Sequence, residues 1–200
     1  AEDAGDLQAL VSRGERAVAP FDLLVAPHFT RDPAERDDFW RLRKGLAARV
    51  GARRPTGTAY LTEDVAVPVE RLAEAIVDFQ DMFVRHEVPD AILLGHAKDG
   101  NLHFVLAEDI RSEDAVERYG RFIQGLVDIV VGKYDGAIKA EHGSGRNMAP
   151  FVRTEWGDDA YDVMRRVKDL LDPDGILNPG VILNDDPRVH LKHLKPMTTI

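Results

Sequence analysis

Apolar residues recur at helical spacing in some stretches of this chain and gather in short runs in others, and the alternation between the two sets the expected elements. Leu7, Leu10 and Val11 suggest a short helix within residues 1–18. Phe21 to Phe29 (FDLLVAPHF) is an apolar run broken by Pro27, expected as a strand at a sheet edge or one running into a loop. Asp32-Pro33 has the form of a helix start, with Asp as the cap and Pro at the first helical position. Phe39, Leu42, Leu46 and Val50 follow at helical intervals. Residues 51–57 (GARRPTG) predict a loop, and 60–68 (YLTEDVAVP) a strand closed by Pro68.

Val69, Leu72, Ala73, Ile76, Phe79 and Phe83 form the stripe of an amphipathic helix over 69–87. Ile92 to Leu106 (ILLGHAKDGNLHFVL) then predicts a β-hairpin, because Lys98-Asp99-Gly100-Asn101 supplies the Gly and Asn that tight turns favour between two apolar runs. A second amphipathic helix is expected over 113–132, capped by Ser112, with Val116, Tyr119, Ile123, Leu126, Val127 and Val130 buried. Asp158 is expected to cap a third, with Ala160, Val163, Met164, Val167, Leu170 and Leu171 as its stripe, before the turn-rich 172–183 segment. Helices that share one side of a mostly antiparallel sheet give an α+β, ferredoxin-like fold with a C-terminal helical segment. The expected division is a substrate or cap domain over 1–150, a helix and turn over 151–184, and an extended tail or linker over 185–200.

Composition narrows the class. Two hundred residues that are 44% hydrophobic suffice for a buried core, and a net charge of -9 disfavours nucleic acid or an anionic membrane as the main partner. There is no cysteine, so neither disulfides nor thiolate-held iron–sulfur clusters reside in this chain. No apolar run is long enough to span a bilayer, and AEDAGDLQAL lacks a signal-peptide pattern. A cytoplasmic setting is expected, either free or peripheral to the inner face of the membrane.

Candidate chemistry gathers in two places. The hairpin brackets His96 and His103, which folding back at Asp99-Gly100 would bring nearly opposite each other, close enough to share a divalent ion through neutral imidazole. Downstream, Glu141 and His142 precede Gly143 and Gly145, which let backbone pass close to a ligand. The face of the helix after Pro33 that carries Arg41, Arg43, Lys44 and Arg49 could bind a carboxylate, or could simply be solvated. The spacing has neither the HExxH register nor paired CxxC. A metal-dependent hydrolase, or a structural domain with incidental histidines, therefore stands beside any other reading.

The segments GHAKDGNLHF, AEHGSGR and DPDGILNPGVIL, in that order, with FWRLRKGL and LTEDVAVPVERL, resemble the C-terminal domain of FAD-linked oxidases of the vanillyl-alcohol-oxidase superfamily. Within it the chain looks most similar to D-lactate or D-2-hydroxyacid dehydrogenases fused to an iron–sulfur domain, whose linker has a similar NDDPxxHLKHLKPM run. The resemblance implies a substrate-binding cap over the FAD of a separate domain, acting on a small 2-hydroxy acid. It implies zinc or manganese on His96, His103 and Glu141, and His142 as the catalytic base. Arg43, with Lys44 and Asn101, is expected at the substrate, and Gly143 and Asn178 at the cofactor. Hydroxyglutarate-type relatives carry Lys where Thr62 stands and Asn where Val105 stands, which argues for a smaller or less charged acid such as lactate.

Overall fold

The computed structural model describes residues 4–88 and 90–195, and the chain divides after Arg53 into two compact units. In the first, helix α1 (Ala4–Val18) and helix α2 (Pro33–Arg53) are joined by an irregular connection. The expected start of α2 forms: Asp32 Oδ1 accepts the backbone N–H of Ala34 at 2.8 Å, and Pro33 is the first helical residue. The expected strand over 21–29 does not form. Phe21, Leu24 and Val25 are exposed, and the segment gains no strand partner among the described residues, so its apolar character alone does not make it β.

The second unit is α+β. Strand β1 (Ala59–Ala66), helix α3 (Leu72–Arg85), strand β2 (Ile92–His96), strand β3 (Asn101–Glu108), helix α4 (Glu113–Val127) and helix α5 (Val152–Leu171) follow in order. The sheet is antiparallel with order β1-β3-β2, so the hairpin's second strand lies in the middle. Ser112 caps α4 as its sequence suggests, its Oγ accepting from Ala115 N at 3.2 Å. A π-helical turn, Asp128–Lys133, extends α4 and buries Val130. α5 is broken at Gly157, where φ is 78° and ψ 168°, and its second part starts at Asp158, the position expected to open that helix.

Successive residues of β3 face opposite ways, and the strand divides its labour accordingly. Leu102, Phe104 and Leu106 are buried against α3 and α4, where the Phe104 ring lies 6.1 Å from Phe79, 5.7 Å from Phe83 and 5.8 Å from Phe122. Asn101, His103 and Val105 point to the other face. The core therefore holds the strand that carries the site. Phe104→Ala should destabilise the unit by about 3–5 kcal/mol, since it opens a cavity at the centre of that aromatic cluster. Urea unfolding followed by circular dichroism would check this, and a loss under about 1 kcal/mol would mean that the cluster closes over the gap.

Of the stretch expected as an extended tail over 185–200, residues 196–200 lie outside the described residues, and the segment around Val189–Leu191 packs. A 3-10 turn at Val189–Leu191 buries Val189 and His190, with the His190 ring 5.1 Å from that of Phe151. Leu191 fits at Gly120 of α4, where a Cβ would come within 2.9 Å of the leucine Cδ1. Small apolar residues spaced through a polar stretch can dock when a groove awaits them, which polarity averaged over the stretch conceals.

Candidate metal centre

The hairpin turn brings the first site residues together. Residues 97–99 form a 3-10 turn, and Gly100 closes it with φ of 66°, where a Cβ would fall 2.0 Å from the Val67 carbonyl oxygen. The pairing differs by two residues from the one expected: His96 faces Asn101, while His103 faces Leu94 on β2 and Asp64 on β1. His96 and His103 still share a sheet face as diagonal neighbours, their rings 5.3 Å apart and edge to face. Asn101, expected at the substrate, is buried with its amide engaged at both ends. It accepts from His96 N and donates to Val65 O, each at 3.3 Å, and so ties the hairpin to β1.

A strap over residues 137–147 delivers the second set. It pairs with the end of β1 through two backbone hydrogen bonds between Ala66 and Ala137, both 2.9 Å, and then passes over the histidine-bearing face. There Glu141 Oε1 lies 2.9 Å from His103 Nε2 and 3.4 Å from His96 Nε2. The His142 ring stacks on His103 with centroids 5.1 Å apart and planes 13° from parallel. His103 is 7% exposed, whereas Glu141, His142 and His96 are open to solvent. Burial holds the His103 imidazole below its ordinary pKa, against the opposing pull of Glu141, and so favours the neutral form that a metal ligand requires.

Two acids absent from the sequence expectations underlie this arrangement. Glu63 and Asp64 are adjacent on β1 and both buried, at 3% and 0% exposure. Lys139 from the strap donates to Glu63, which also accepts from Asn147, itself 3.4 Å from the Tyr119 hydroxyl. Burial raises the Glu63 carboxyl despite these partners. Asp64 Oδ2 accepts the backbone N–H groups of Glu141 at 2.7 Å and His142 at 3.3 Å, fixing the strap above the sheet. The signal available in LTEDVAVP was a pair of acids inside an apolar strand, which rarely stay buried without partners.

Asp64, His103, Glu141 and His142 each offer a ligand atom within 4.8 Å of the others, and His96 flanks them through Glu141. The donor set of imidazoles and carboxylates fits a divalent transition metal such as zinc, manganese or iron(II). Beside it, His96, Asp99, Asn101, Lys139 and Glu141 line a cavity of about 270 Å³. Gly143 follows with φ of 74° and open space around it, and Asn178 is exposed with φ of 44°. Asn178 lines a separate groove of about 570 Å³ with Trp156, Val163, Val167, Leu177 and Ile182. Arg43 and Lys44 are exposed on α2, in the other compact unit. No described helix is long and apolar enough to cross a membrane.

The family described as "FAD linked oxidases, C-terminal domain" matches residues 4–182, and the chain belongs to it. Among its relatives, a protein named probable D-lactate dehydrogenase, mitochondrial, from Danio rerio is 33% identical over 78% of this chain and 31% of its own length. The glycolate oxidase subunit GlcD of Bacillus subtilis (strain 168) is 30% identical over 73% of this chain and 30% of its own. A D-2-hydroxyglutarate dehydrogenase from Stutzerimonas stutzeri (strain A1501) is 29% identical over 85% of this chain and 37% of its own. The chain thus spans about a third of the length of these relatives.

Proposed function

We propose that this chain is the substrate- and metal-binding domain of a flavin-dependent dehydrogenase that oxidises a small D-2-hydroxy acid, of the size of D-lactate, to the 2-oxo acid. The observation that carries the reading is the approach of both His96 Nε2 and His103 Nε2 to one oxygen of Glu141, in a domain of a family linked to FAD. Zinc or manganese on His96, His103 and Glu141 would supply Lewis-acid polarisation of the substrate's 2-hydroxyl and carboxylate oxygens. FAD, held mainly by another domain of the same full-length protein, would supply the hydride acceptor.

The chain's own residues do the rest. His142, open to solvent beside His103, takes the hydroxyl proton as hydride leaves the adjacent carbon. The resemblance that assigns Arg43 and Lys44 to the substrate carboxylate would give that group a paired-donor contact from α2. Gly143 and the turn carrying Asn178 meet the flavin domain, where open backbone and an apolar groove favour a packed partner. Thr62 and Val105 pair directly on the histidine-bearing face, and neither offers a charge to a second carboxylate. That favours a monocarboxylic substrate over a dicarboxylic one. An iron–sulfur domain would take the electrons onward.

The test is oxidation by the full-length protein with an artificial electron acceptor. D-lactate should be consumed faster than D-2-hydroxyglutarate, a chelator should abolish the reaction, and zinc or manganese should restore it. The 200-residue chain alone should bind the metal and leave D-lactate untouched. Hydrolysis of an ester or amide by that chain with metal alone would replace this reading with a hydrolase.

A further inference from the structure

We propose that Asp64 is a positioning residue for His142, fixing the tautomer and the ring orientation that leave Nε2 free to accept a proton. The inference rests on the reading of His142 as the base. Asp64 has 0% exposure, and its two oxygens are treated unequally. Oδ2 accepts from the amides of Glu141 and His142, whereas Oδ1 is buried with no hydrogen-bond partner. A carboxylate oxygen left so is costly, and the nearest donor able to satisfy it is His142 Nδ1, at 3.5 Å. A small turn of the imidazole closes that gap. With the proton on Nδ1 and donated to Asp64, the lone pair must lie on Nε2. Stacking on His103, 13° from parallel, restricts the ring to that plane.

The competing role for Asp64 is that of a metal ligand, since it stands in the compact group with His103, Glu141 and His142. Two features argue against it. Oδ2 is already occupied by two amides, and Oδ1 has the Lys139 ammonium 3.8 Å away, itself anchored on Glu63. A fixed cation beside that oxygen opposes a second cation at the same oxygen. The same ammonium does not oppose a neutral imidazole N–H. One side chain thus anchors the strap that carries Glu141 and orients the neighbour of Glu141.

Asp64→Asn separates the roles. Its carbonyl oxygen keeps accepting the two amides, but its NH₂ now faces His142 Nδ1 and donates to it, which moves the ring proton to Nε2 and removes the lone pair from the base position. In the full-length enzyme, kcat should fall on the order of 10²–10⁴ with KM changed less than about threefold. Metal affinity of the variant should stay within a few-fold of the native value. In the metal-free native chain labelled with ¹⁵N-histidine, His142 should carry its proton on Nδ1, and in Asp64→Asn on Nε2. Loss of metal from the variant, a native ring protonated on Nε2, or unchanged kcat would each overturn the proposal. The native tautomer is measured without the variant, so it decides the question even where the variant fails to fold. It is also measured without flavin or substrate. An enzyme that rejects 2-hydroxy acids would sink the functional reading and leave the tautomer result standing, while an active enzyme with the opposite tautomer would do the reverse.

Discussion

His142→Ala in the full-length protein should lower turnover by about 10²–10⁴ while leaving metal content nearly unchanged, although its neighbour Glu141 is assigned to the metal. The two residues are adjacent in the strap, yet they face different partners. Glu141 Oε1 sits between His103 Nε2 and His96 Nε2, and the His142 ring lies over the His103 ring with Nδ1 toward Asp64. Removing the imidazole takes away the group proposed to receive the hydroxyl proton. It leaves the His142 backbone N–H, which also anchors the strap on Asp64. Steady-state kinetics with D-lactate and elemental analysis of the purified variant give the two readouts. Loss of metal along with activity would show that His142 is a ligand, and the compact grouping of Asp64, His103, Glu141 and His142 would then describe the centre better than the hairpin histidines do.

Which parts of this were legible in the chain follows from what each signal measures. The stripe Ile76, Phe79, Phe83 and the stripe Tyr119, Ile123, Leu126 mark α3 and α4 because a helix buried on one face repeats its apolar residues with the helical period. The cap at Ser112 and the turn glycine at Gly100 are local requirements and are visible locally. Register is not local. His96 pairs with Asn101 rather than with His103, because the turn over residues 97–99 takes its own residues out of the ladder. The run 21–29 has the composition of a strand, but pairing depends on a neighbour that composition does not supply.

The acids of β1 failed to register for the same reason. An Asp in a strand usually points to water, and Asp64 becomes a buried acceptor only because residues 77 and 78 positions further on return with their N–H groups aimed at it. Asn101 shows the converse. Expected beside a substrate, it lines the cavity next to the centre, and its amide also binds His96 N and Val65 O, holding the hairpin in register in a way its place in the sequence does not show. Candidate ligands on the strands stand out by residue type, whereas the residues that hold the strap show themselves only where the strap lands.

His103→Ala and His96→Ala should each weaken metal binding to this chain by more than about 100-fold, beyond what loss of a residue merely supporting a ligand costs. The pair is informative because the two positions share a sheet face and an approach to Glu141 but differ in burial and in their place in the sheet. His103 is buried in the central strand, faces Asp64 and has its pKa lowered by burial, while His96 ends an edge strand and is exposed. If both imidazoles share an ion with Glu141, both truncations remove a ligand and both affinities fall together. If the ion instead sits among Asp64, His103, Glu141 and His142, only His103→Ala is severe, and His96→Ala costs no more than the loss of an outer neighbour. Fold stability distinguishes either outcome from simple unfolding. His103 points away from the aromatic cluster around Phe104, so its truncation should leave the urea midpoint far closer to native than Phe104→Ala does. Calorimetric titration of zinc and manganese into the two variants and the native chain, with urea unfolding on the same samples, measures both quantities. Native affinity in His96→Ala would remove that residue from the centre and leave Glu141 and His103 as its core.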